Sequence, residues 1–343
     1  MMKNFTNLKN RLAALLLWGV LLISYQTFAQ QEAMFSQYMF NTLAINPAYA
    51  GSRDVLSLTT LGRYQWMGVE GAPKTFTFTM DTPIKNEKMG IGLQVTRDEV
   101  GLQKNTGVHF TYSYRVKVGP RSTLAFGVQG GATNVRWALS DVSNLTNPTD
   151  YVFSGSQDIN NILPNFGGGL YLSNDKGYIG VSCPQIMQNK LSNFNLPDSS
   201  GKASVGKTRR HYFLMMGFVI GKGSFKVKPS TMVRYTQGAP LGFDGNINFW
   251  IKDKISFGVS GRISQFQAMG QDSKSLFDAA IGMLELQLTP QFRIGYAYDF
   301  TSNKLNDVTK TGFNRLVGIP THELMLRYEF GFGKSKILTP RYF

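Results

Sequence analysis

The C-terminal half of the chain alternates apolar and polar residues over runs of about ten, separated by turns. One run sets Phe292, Ile294, Tyr296, Tyr298 and Phe300 against Arg293, Gly295, Ala297 and Asp299, and another sets Leu324, Leu326, Tyr328 and Phe330 against Glu323, Met325, Arg327 and Glu329. Because successive side chains of a strand point to opposite faces, each run has one apolar and one polar wall. The period therefore predicts β-structure, either a transmembrane barrel or a soluble sheet.

Residues 1–29 have the composition of a Sec signal peptide. Basic residues at positions 3, 9 and 11 precede the apolar run 12–23, and small residues flank Phe28. The run is too short for a membrane-spanning helix, which needs roughly 20 residues. Cleavage after Ala29 would leave Gln30 as the mature N-terminus. Export of this kind is compatible with an outer-membrane barrel.

The composition separates a barrel from a helical membrane protein. Mean hydropathy is −0.15, and no later segment resembles a spanning helix. A barrel dilutes its apolar signal because half of each strand faces a polar lumen. The 36 glycines and 13% aromatic residues suit closely approaching strands and interfacial girdles. The single cysteine, Cys183, excludes an intramolecular disulfide framework.

The formal net charge of +15 falls to +12 when the three basic residues of the signal peptide are removed. The basic residues are scattered along the chain instead of forming one patch, so nucleic-acid binding is not predicted. We interpret the surplus as facing anionic outer-membrane lipid, lining the lumen or meeting an acidic partner.

The alternation predicts an all-β, antiparallel up-and-down transmembrane β-barrel of fourteen strands. The strands are expected near 55–66, 74–82, 89–97, 105–118, 122–136, 165–174, 177–183, 209–222, 224–237, 241–251, 254–265, 276–288, 290–301 and 320–333. An even number of strands places both chain termini on the periplasmic side of the membrane. The predicted organisation is a signal peptide at 1–29, a periplasmic or luminal segment at 30–53, the barrel at 54–333 and a tail at 334–343.

Connection length supports the membrane barrel. Tight turns are predicted at 119–121, 174–177, 221–223 and 252–254, all after even-numbered strands. Long connections, at 138–164, 184–209 and 302–319, follow odd-numbered strands, with 236–241 as a short exception. Short periplasmic turns and long external loops are typical of outer-membrane barrels.

Strand polarity assigns the two walls. On the fourth strand, residues 108, 110, 112, 114 and 116 are apolar and would face lipid, and the residues between them are polar. Because arginine facing lipid at mid-membrane costs roughly 2–4 kcal/mol, the charged residues are predicted to face the lumen. These candidate lumen charges are Arg115, Arg234, Arg262, Arg293, Arg327, Glu323 and Glu329, with Asp299 beside them.

The chain offers little for catalysis. Its three histidines are His109, His211 and His322, and no spacing resembles a metal site. A Ser-His pair assembled across strands stays possible on the sequence alone. Simple lumen or interface positions fit His109 and His322, so we predict no enzyme activity and no cofactor.

The segment 34–51, with the sequence MFSQYMFNTLAINPAYAG, lacks strict alternation. It is too short for a domain. We expect a short helix and turn that either plugs the lumen or caps the periplasmic mouth.

Two blocks of this sequence resemble the PorP/SprF family of type IX secretion system membrane proteins. The residues that carry the resemblance are Gln37, Tyr38, Asn46, Pro47, Ala48, Tyr49, Ala50, Gly51, Gln65, Trp66, Gly71, Ala72 and Pro73. Further similarities follow at 90–92, Asp98, Gly101, 322–324 and the ending 340–343.

The resemblance implies an outer-membrane barrel of the type IX secretion and gliding apparatus. It implies a partner, the C-terminal secretion domain of a secreted surface protein such as a large adhesin, with other components of the system as further partners. The alternatives are a structural anchor for periplasmic ring or motor components and a passive outer-membrane channel.

Overall fold

The computed structural model describes residues 34–84, 87–138, 158–191, 207–237, 239, 241–265, 277–301 and 319–331. The predicted signal peptide and the predicted C-terminal tail lie outside these residues. Within the described residues, no helix has the length and apolar character needed to cross a membrane.

Almost all of the described chain is strand. The strands are β1 (Leu56–Tyr64), β2 (Lys74–Ile84), β3 (Met89–Val100), β4 (Gln103–Lys117), β5 (Ser122–Trp137), β6 (Ile159–Asn174), β7 (Gly177–Cys183), β8 (His211–Phe218), β9 (Ile220–Lys222), β10 (Phe225–Thr236), β11 (Leu241–Ile251), β12 (Ile255–Gln265), β13 (Phe277–Gln287), β14 (Phe292–Thr301) and β15 (Thr321–Phe330).

The sheet closes on itself. Neighbours in sequence pair antiparallel, and β15 returns to pair with β1, where Leu56 lies opposite Phe330. The short β9 prolongs β8 across Val219, since both pair with β10 in one unshifted register. The two therefore count as one wall strand, and the predicted fourteen-strand antiparallel barrel is confirmed.

One strand is longer than the alternation predicted. β6 begins at Ile159 rather than near 165, although it contains Pro164, which cannot donate to a ladder. Pro164 pairs with Ala132 on β5, while on its other edge β7 reaches β6 only up to Gly168. Pro164 thus lies beyond the end of the β6–β7 ladder, where its missing N–H group removes no hydrogen bond to β7.

The connections divide by length between the two ends of the barrel. The end that carries Leu56 and Phe330 has only short turns, such as 118–121 and 252–254. The other end carries the long connections 138–158, 184–210 and 302–320, with 237–240 as the predicted exception. A second short connection there, Gly101–Leu102, was not predicted. By this pattern the short-turn end is periplasmic and the long-connection end is external.

The predicted walls are confirmed. On β4 the outward side chains from Val108 to Val116 are apolar and exposed, up to 66% for Phe110, whereas His109, Thr111 and Ser113 are buried. On β12, Ile255, Phe257 and Val259 face outward. The inward side chains are buried because another part of the chain fills the lumen.

Candidate functional site: the filled lumen and the external chamber

Much of the lumen is filled by residues 34–55, which we call the luminal segment. The segment contains three single-turn 3₁₀ helices, at Tyr38–Phe40, Thr42–Ala44 and Pro47–Tyr49. Its apolar side chains pack with inward residues from distant strands, including Leu61, Tyr171 and Trp250. Fourteen strands enclose more space than the wall side chains fill, so an inserted segment is a physical requirement for a packed interior.

The segment is held at its start by a cluster of buried charges, which we call the Ser36 cluster: Ser36, Arg63, Arg262, Asp299 and Glu323. The Ser36 main-chain nitrogen donates to the Glu323 carboxylate at 2.8 Å, and the Ser36 hydroxyl donates to Asp299 at 2.8 Å. Arg63 pairs with Asp299 at 2.8 Å and with Glu323 at 3.0 Å. Arg262 donates to the Ser36 hydroxyl at 3.1 Å.

Glu323 also accepts a hydrogen bond from the Gln37 main-chain nitrogen at 2.7 Å. One carboxylate therefore receives two successive N–H groups of the luminal segment, one on each oxygen. Charge-assisted bonds of this kind are roughly twice as strong as neutral ones. The Ser36 cluster fixes where the luminal segment begins its path across the lumen.

Asn46 fixes the middle of the luminal segment against the opposite wall. Its side-chain oxygen accepts from the Ala48 main-chain nitrogen at 2.9 Å, which caps the 3₁₀ helix that starts at Pro47. Its side-chain nitrogen donates to the Leu170 carbonyl on β6 at 2.9 Å. The Asn-Pro pair is thus both a local cap and a tertiary contact.

Glycines on the inner wall make room for the segment. A Cβ added to Gly127 on β5 would overlap the Ala48 main chain, and one added to Gly90 on β3 would overlap the Ala50 carbonyl. At Gly295 an added Cβ would lie 2.5 Å from the Gln37 side-chain oxygen, and at Gly180 one would lie 2.8 Å from Asn46. The barrel wall is therefore shaped to this particular segment.

The segment is fixed again where it leaves the lumen at the periplasmic end. The Gly51 nitrogen donates to Asp81 at 2.8 Å, and Gly51 itself has a positive φ of 72°. Arg53 pairs with Glu329 at 2.6 Å, and Asp54 pairs with Arg115 at 2.8 Å.

The surroundings of two residues of the luminal segment raise their pKa values and so reinforce their ordinary ionisation states. Burial raises the pKa of the Tyr38 phenol well above its ordinary value, and nearby Tyr178 adds to the effect. For Arg53, burial alone would lower the pKa, but the Glu329 carboxylate outweighs it and the pKa is raised. Tyr38 is therefore neutral, and Arg53 charged, at physiological pH.

The charges predicted for the lumen all lie in the interior, and those beyond the Ser36 cluster also have partners. Arg234 pairs with Asp244 at 3.2 Å, and Arg293 pairs with Glu285 at 2.8 Å. Arg327 donates to the Thr59 hydroxyl at 3.2 Å. These side chains hold the wall and the luminal segment together, which leaves them little capacity to bind an acidic ligand.

Sequence reasoning missed several interior charges. They are Arg53, Arg63, Asp81, Lys228, Asp244 and Glu285, all of which are buried. Arg63 lies on the polar face of β1, so the alternation could have identified it. Asp244 lies on the polar face of β11 in the same way, whereas Glu285 shares the inward face of β13 with Ala279, Ile281 and Met283, so the alternation does not identify it.

The second sequence block, Gln65 to Pro73, forms the β1–β2 connection at the external rim. The Gln65 nitrogen donates to the Pro73 carbonyl at 3.0 Å, which closes the loop. The Trp66 nitrogen donates to the Thr321 hydroxyl at 3.2 Å, and the Gly101 nitrogen donates to the Gly71 carbonyl at 2.9 Å. The block thus joins β1, β3 and β15 at the rim.

Above the luminal segment, the described residues leave a chamber of about 390 Å³ in the external half of the barrel. Met34, Phe35, Ala44 and Ile45 of the luminal segment contribute to its lining. The uncharged polar residues of its wall include Thr75, Thr77, Gln94, Thr96, Gln103, Asn105, His109, Gln129, Thr133 and Asn165. Phe213, Leu163 and Met232 add apolar surface.

The three histidines have different surroundings. His109 lines the chamber, and His211 contacts the Arg209 carbonyl at 3.1 Å. His322 contacts the Tyr296 hydroxyl at 2.6 Å at the external rim. Within the described ranges, no group of three or more His, Cys, Asp or Glu side chains is arranged to hold a metal ion.

The family model of the type IX secretion system membrane protein PorP/SprF matches residues 27–328. The chain belongs to this family. A closed β-barrel in a bacterial secretion system is an outer-membrane structure, so this PorP/SprF protein is an outer-membrane protein. No protein of curated function matches its sequence.

Several solved barrels resemble this PorP/SprF protein distantly. The CymD monoaromatic hydrocarbon channel is 10% identical with a TM-score of 0.47, covering 89% of this chain and 95% of the channel. A Pseudomonas aeruginosa FadL homologue is 14% identical with a TM-score of 0.46, over 86% and 94%. The Acinetobacter baumannii outer membrane protein Omp33 is 9% identical with a TM-score of 0.43, over 80% and 98%.

Proposed function

We propose that this barrel binds a secreted surface protein, such as a large adhesin, at its external face and anchors it there through that protein's C-terminal secretion domain. The family supports a role in type IX secretion. The observation that carries the proposal is the chamber lined in part by the luminal segment: it is a recess on the external side. A recess of this kind suits a receptor better than a conduit.

The luminal segment argues against the passive channel. It crosses from the Ser36 cluster on β12, β14 and β15 to Asn46 at β6 and returns to β1 at Leu56. An open pore would require these buried charge pairs and hydrogen bonds to be given up. Catalysis is not proposed either. His211 contacts a main-chain carbonyl and His322 a tyrosine hydroxyl, and no metal-binding group of side chains occurs among the described residues.

A substitution that fills the chamber tests the proposal that the barrel is a receptor for a secreted protein. Thr133 lines the chamber from β5, so Thr133→Phe should place a ring in it and reduce the secreted protein that co-purifies several-fold. The measurement is purification of the tagged protein from outer membranes in mild detergent, followed by quantitative mass spectrometry. Val128→Phe is the matched control, because Val128 faces outward from the same strand and is 60% exposed. Equal recovery with both variants would contradict the proposal.

The periplasmic turns favour a second candidate, an anchor for periplasmic components of the same system. Exposed basic side chains dominate this end: Lys88, Lys117, Arg121, Lys176, Lys222, Lys252 and Lys254. The acidic residues described on these turns are Glu87, Asp175 and Asp253. A basic rim of this kind suits an acidic periplasmic partner or anionic lipid headgroups.

Charge reversal on two of these turns distinguishes the proposed anchor function from the proposed receptor function. The triple variant Lys222→Glu, Lys252→Glu and Lys254→Glu should lose periplasmic ring or motor proteins from the purification and retain the secreted protein. Electrostatic attraction across a charged interface is the reason, and raising the salt concentration should weaken the wild-type interaction too. Unchanged recovery of periplasmic proteins from the triple variant would rule out an anchor built on these turns.

A further inference from the structure

Five uncharged polar side chains form one patch on the inner faces of β2 to β5. We call it the uncharged patch: Thr77, Gln94, His109, Thr111 and Gln129. Each is more than nine-tenths buried. Both ring nitrogens of His109, the Oε1 atoms of the two glutamines and the Oγ1 atoms of the two threonines have no hydrogen-bond partner among the described residues.

The patch is contiguous. His109 lies opposite Gln94 on β3, and Thr111 lies opposite Gln129 on β5. Adjacent strands are about 4.8 Å apart, so these side chains are neighbours on one surface. Gly107 and Gly131 flank the imidazole; an added Cβ would lie 3.2 Å from its Cε1 and 2.9 Å from its Cδ2. The two glycines let the ring lie close to the wall and leave the lumen in front of it free.

Unpartnered buried polar groups are destabilising, and native proteins keep few of them. Four of the five side chains line the chamber: Thr77, Gln94, His109 and Gln129. These four side chains carry five of the unpartnered atoms, and five such atoms at one cavity are explained if the cavity receives a molecule that supplies their hydrogen bonds. Gln129 already uses its side-chain nitrogen, which donates to the Pro184 carbonyl at 2.9 Å.

The surroundings define the chemistry of that molecule. The chamber lining has three charged residues, Asp98, Arg209 and Arg234. Asp98 accepts from the Thr75 hydroxyl at 2.7 Å, Arg234 pairs with Asp244, and Arg209 is not free either. The free carbonyl oxygens of the glutamines require N–H or O–H donors. An extended main chain offers N–H and C=O groups in alternation without net charge. Phe35 and Phe213 supply apolar surface for its side chains.

The size of the chamber limits what can enter. About 390 Å³ lies near the lower end of ligand pockets, which span roughly 300–1,000 Å³. A folded domain is excluded, and a stretch of a few residues fits. Given that the partner is a secreted protein, as proposed above, we infer that the chamber binds a short, extended, uncharged stretch of that polypeptide, with the uncharged patch bonding to its main chain.

Two substitutions remove part of the patch without damaging the fold. Thr77→Val and Gln94→Leu replace unpartnered buried groups with apolar ones of similar shape, which is neutral or stabilising for the free barrel. Their combination should weaken binding of the polypeptide about ten-fold, as expected from two lost neutral hydrogen bonds. Thr106→Val is the control, since Thr106 faces outward on β4 and is exposed.

The probe is a capped, dye-labelled peptide of five residues, made of glycine, serine, threonine and valine, added to the mature protein in lipid nanodiscs. Binding is read by fluorescence polarisation and by the ring ¹⁵N signals of His109, assigned with His109→Phe. We expect the neutral peptide to bind and to shift these signals. Peptides of the same length with aspartate or lysine at alternate positions should bind more weakly.

Maltohexaose, an uncharged oligosaccharide, is the competing ligand in this experiment. The inference would be overturned if maltohexaose bound and the neutral peptide did not, or if neither bound. Equal binding of charged and neutral peptides would also overturn it. The purification described above measures separately whether the secreted protein depends on the uncharged patch. Undiminished recovery of the secreted protein with the combined Thr77→Val and Gln94→Leu variant would refute binding by the uncharged patch and would leave the receptor proposal unaffected. Undiminished recovery with Thr133→Phe would refute the receptor itself.

Discussion

Replacing Gly127 with valine should open the lumen. Gly127 faces inward from β5, and any Cβ there would overlap the main chain at Pro47 and Ala48. The overlap is with main-chain atoms at 2.1–2.4 Å, so no side-chain rotation can make room and the luminal segment itself must move. Moving the luminal segment out of the barrel relieves the overlap. We therefore expect purified Gly127→Val to give discrete conductance steps in planar bilayers where the wild type gives almost none.

The control for this substitution lies on the same strand. Gly130 faces outward, and an added Cβ would meet no atom within 4 Å, so Gly130→Val should conduct like the wild type. Both variants should retain the heat-dependent shift in SDS gels that marks an intact barrel. If Gly127→Val stays closed with its barrel intact, the segment adapts within the lumen and does not act as a displaceable plug.

The barrel itself could be predicted from sequence because its signal is local. Each strand has its own alternation of apolar and polar residues. The polar faces of β14 and β15 therefore predict that Arg293, Asp299 and Glu323 point inward, as they do. The extension of β6 through Pro164 could not be predicted, since it depends on where β7 ends.

The contents of the lumen depend on contacts between residues far apart in sequence. Ser36 meets Glu323 across 287 positions, and no local pattern encodes such a pair. The alternation predicted which charges face inward but not which charges meet. The uncharged patch contains neither a charged residue nor a metal-ligand spacing, so neither of these sequence signals identifies it. Its signal was available, since the polar faces of β2 and β5 carry Thr77 and Gln129 where those of β14 and β15 carry charges.

Replacing Arg63 with methionine should destabilise the barrel more than any other single substitution considered for the wall. Arg63 pairs with both Asp299 and Glu323, and the three side chains are at most 4% exposed. Removing the cation leaves two buried carboxylates with too little positive charge, and breaking a buried pair in this way costs about 3–5 kcal/mol. The free energy of unfolding should fall by that amount in urea titrations followed by tryptophan fluorescence in detergent.

Arg97→Met supplies the matched comparison. Arg97 also pairs with a carboxylate, Glu99, at 2.6 Å, but its side chain is 57% exposed, so its loss should cost about 0–1 kcal/mol. Adding Glu323→Gln to Arg63→Met should restore part of the lost stability, because it removes one of the uncompensated charges while one oxygen still accepts from the luminal segment. Equal losses for Arg63→Met and Arg97→Met would mean that the Ser36 cluster contributes no more than a surface ion pair. In that case the wall glycines and Asn46, rather than the buried charges, would be what holds the luminal segment in the barrel.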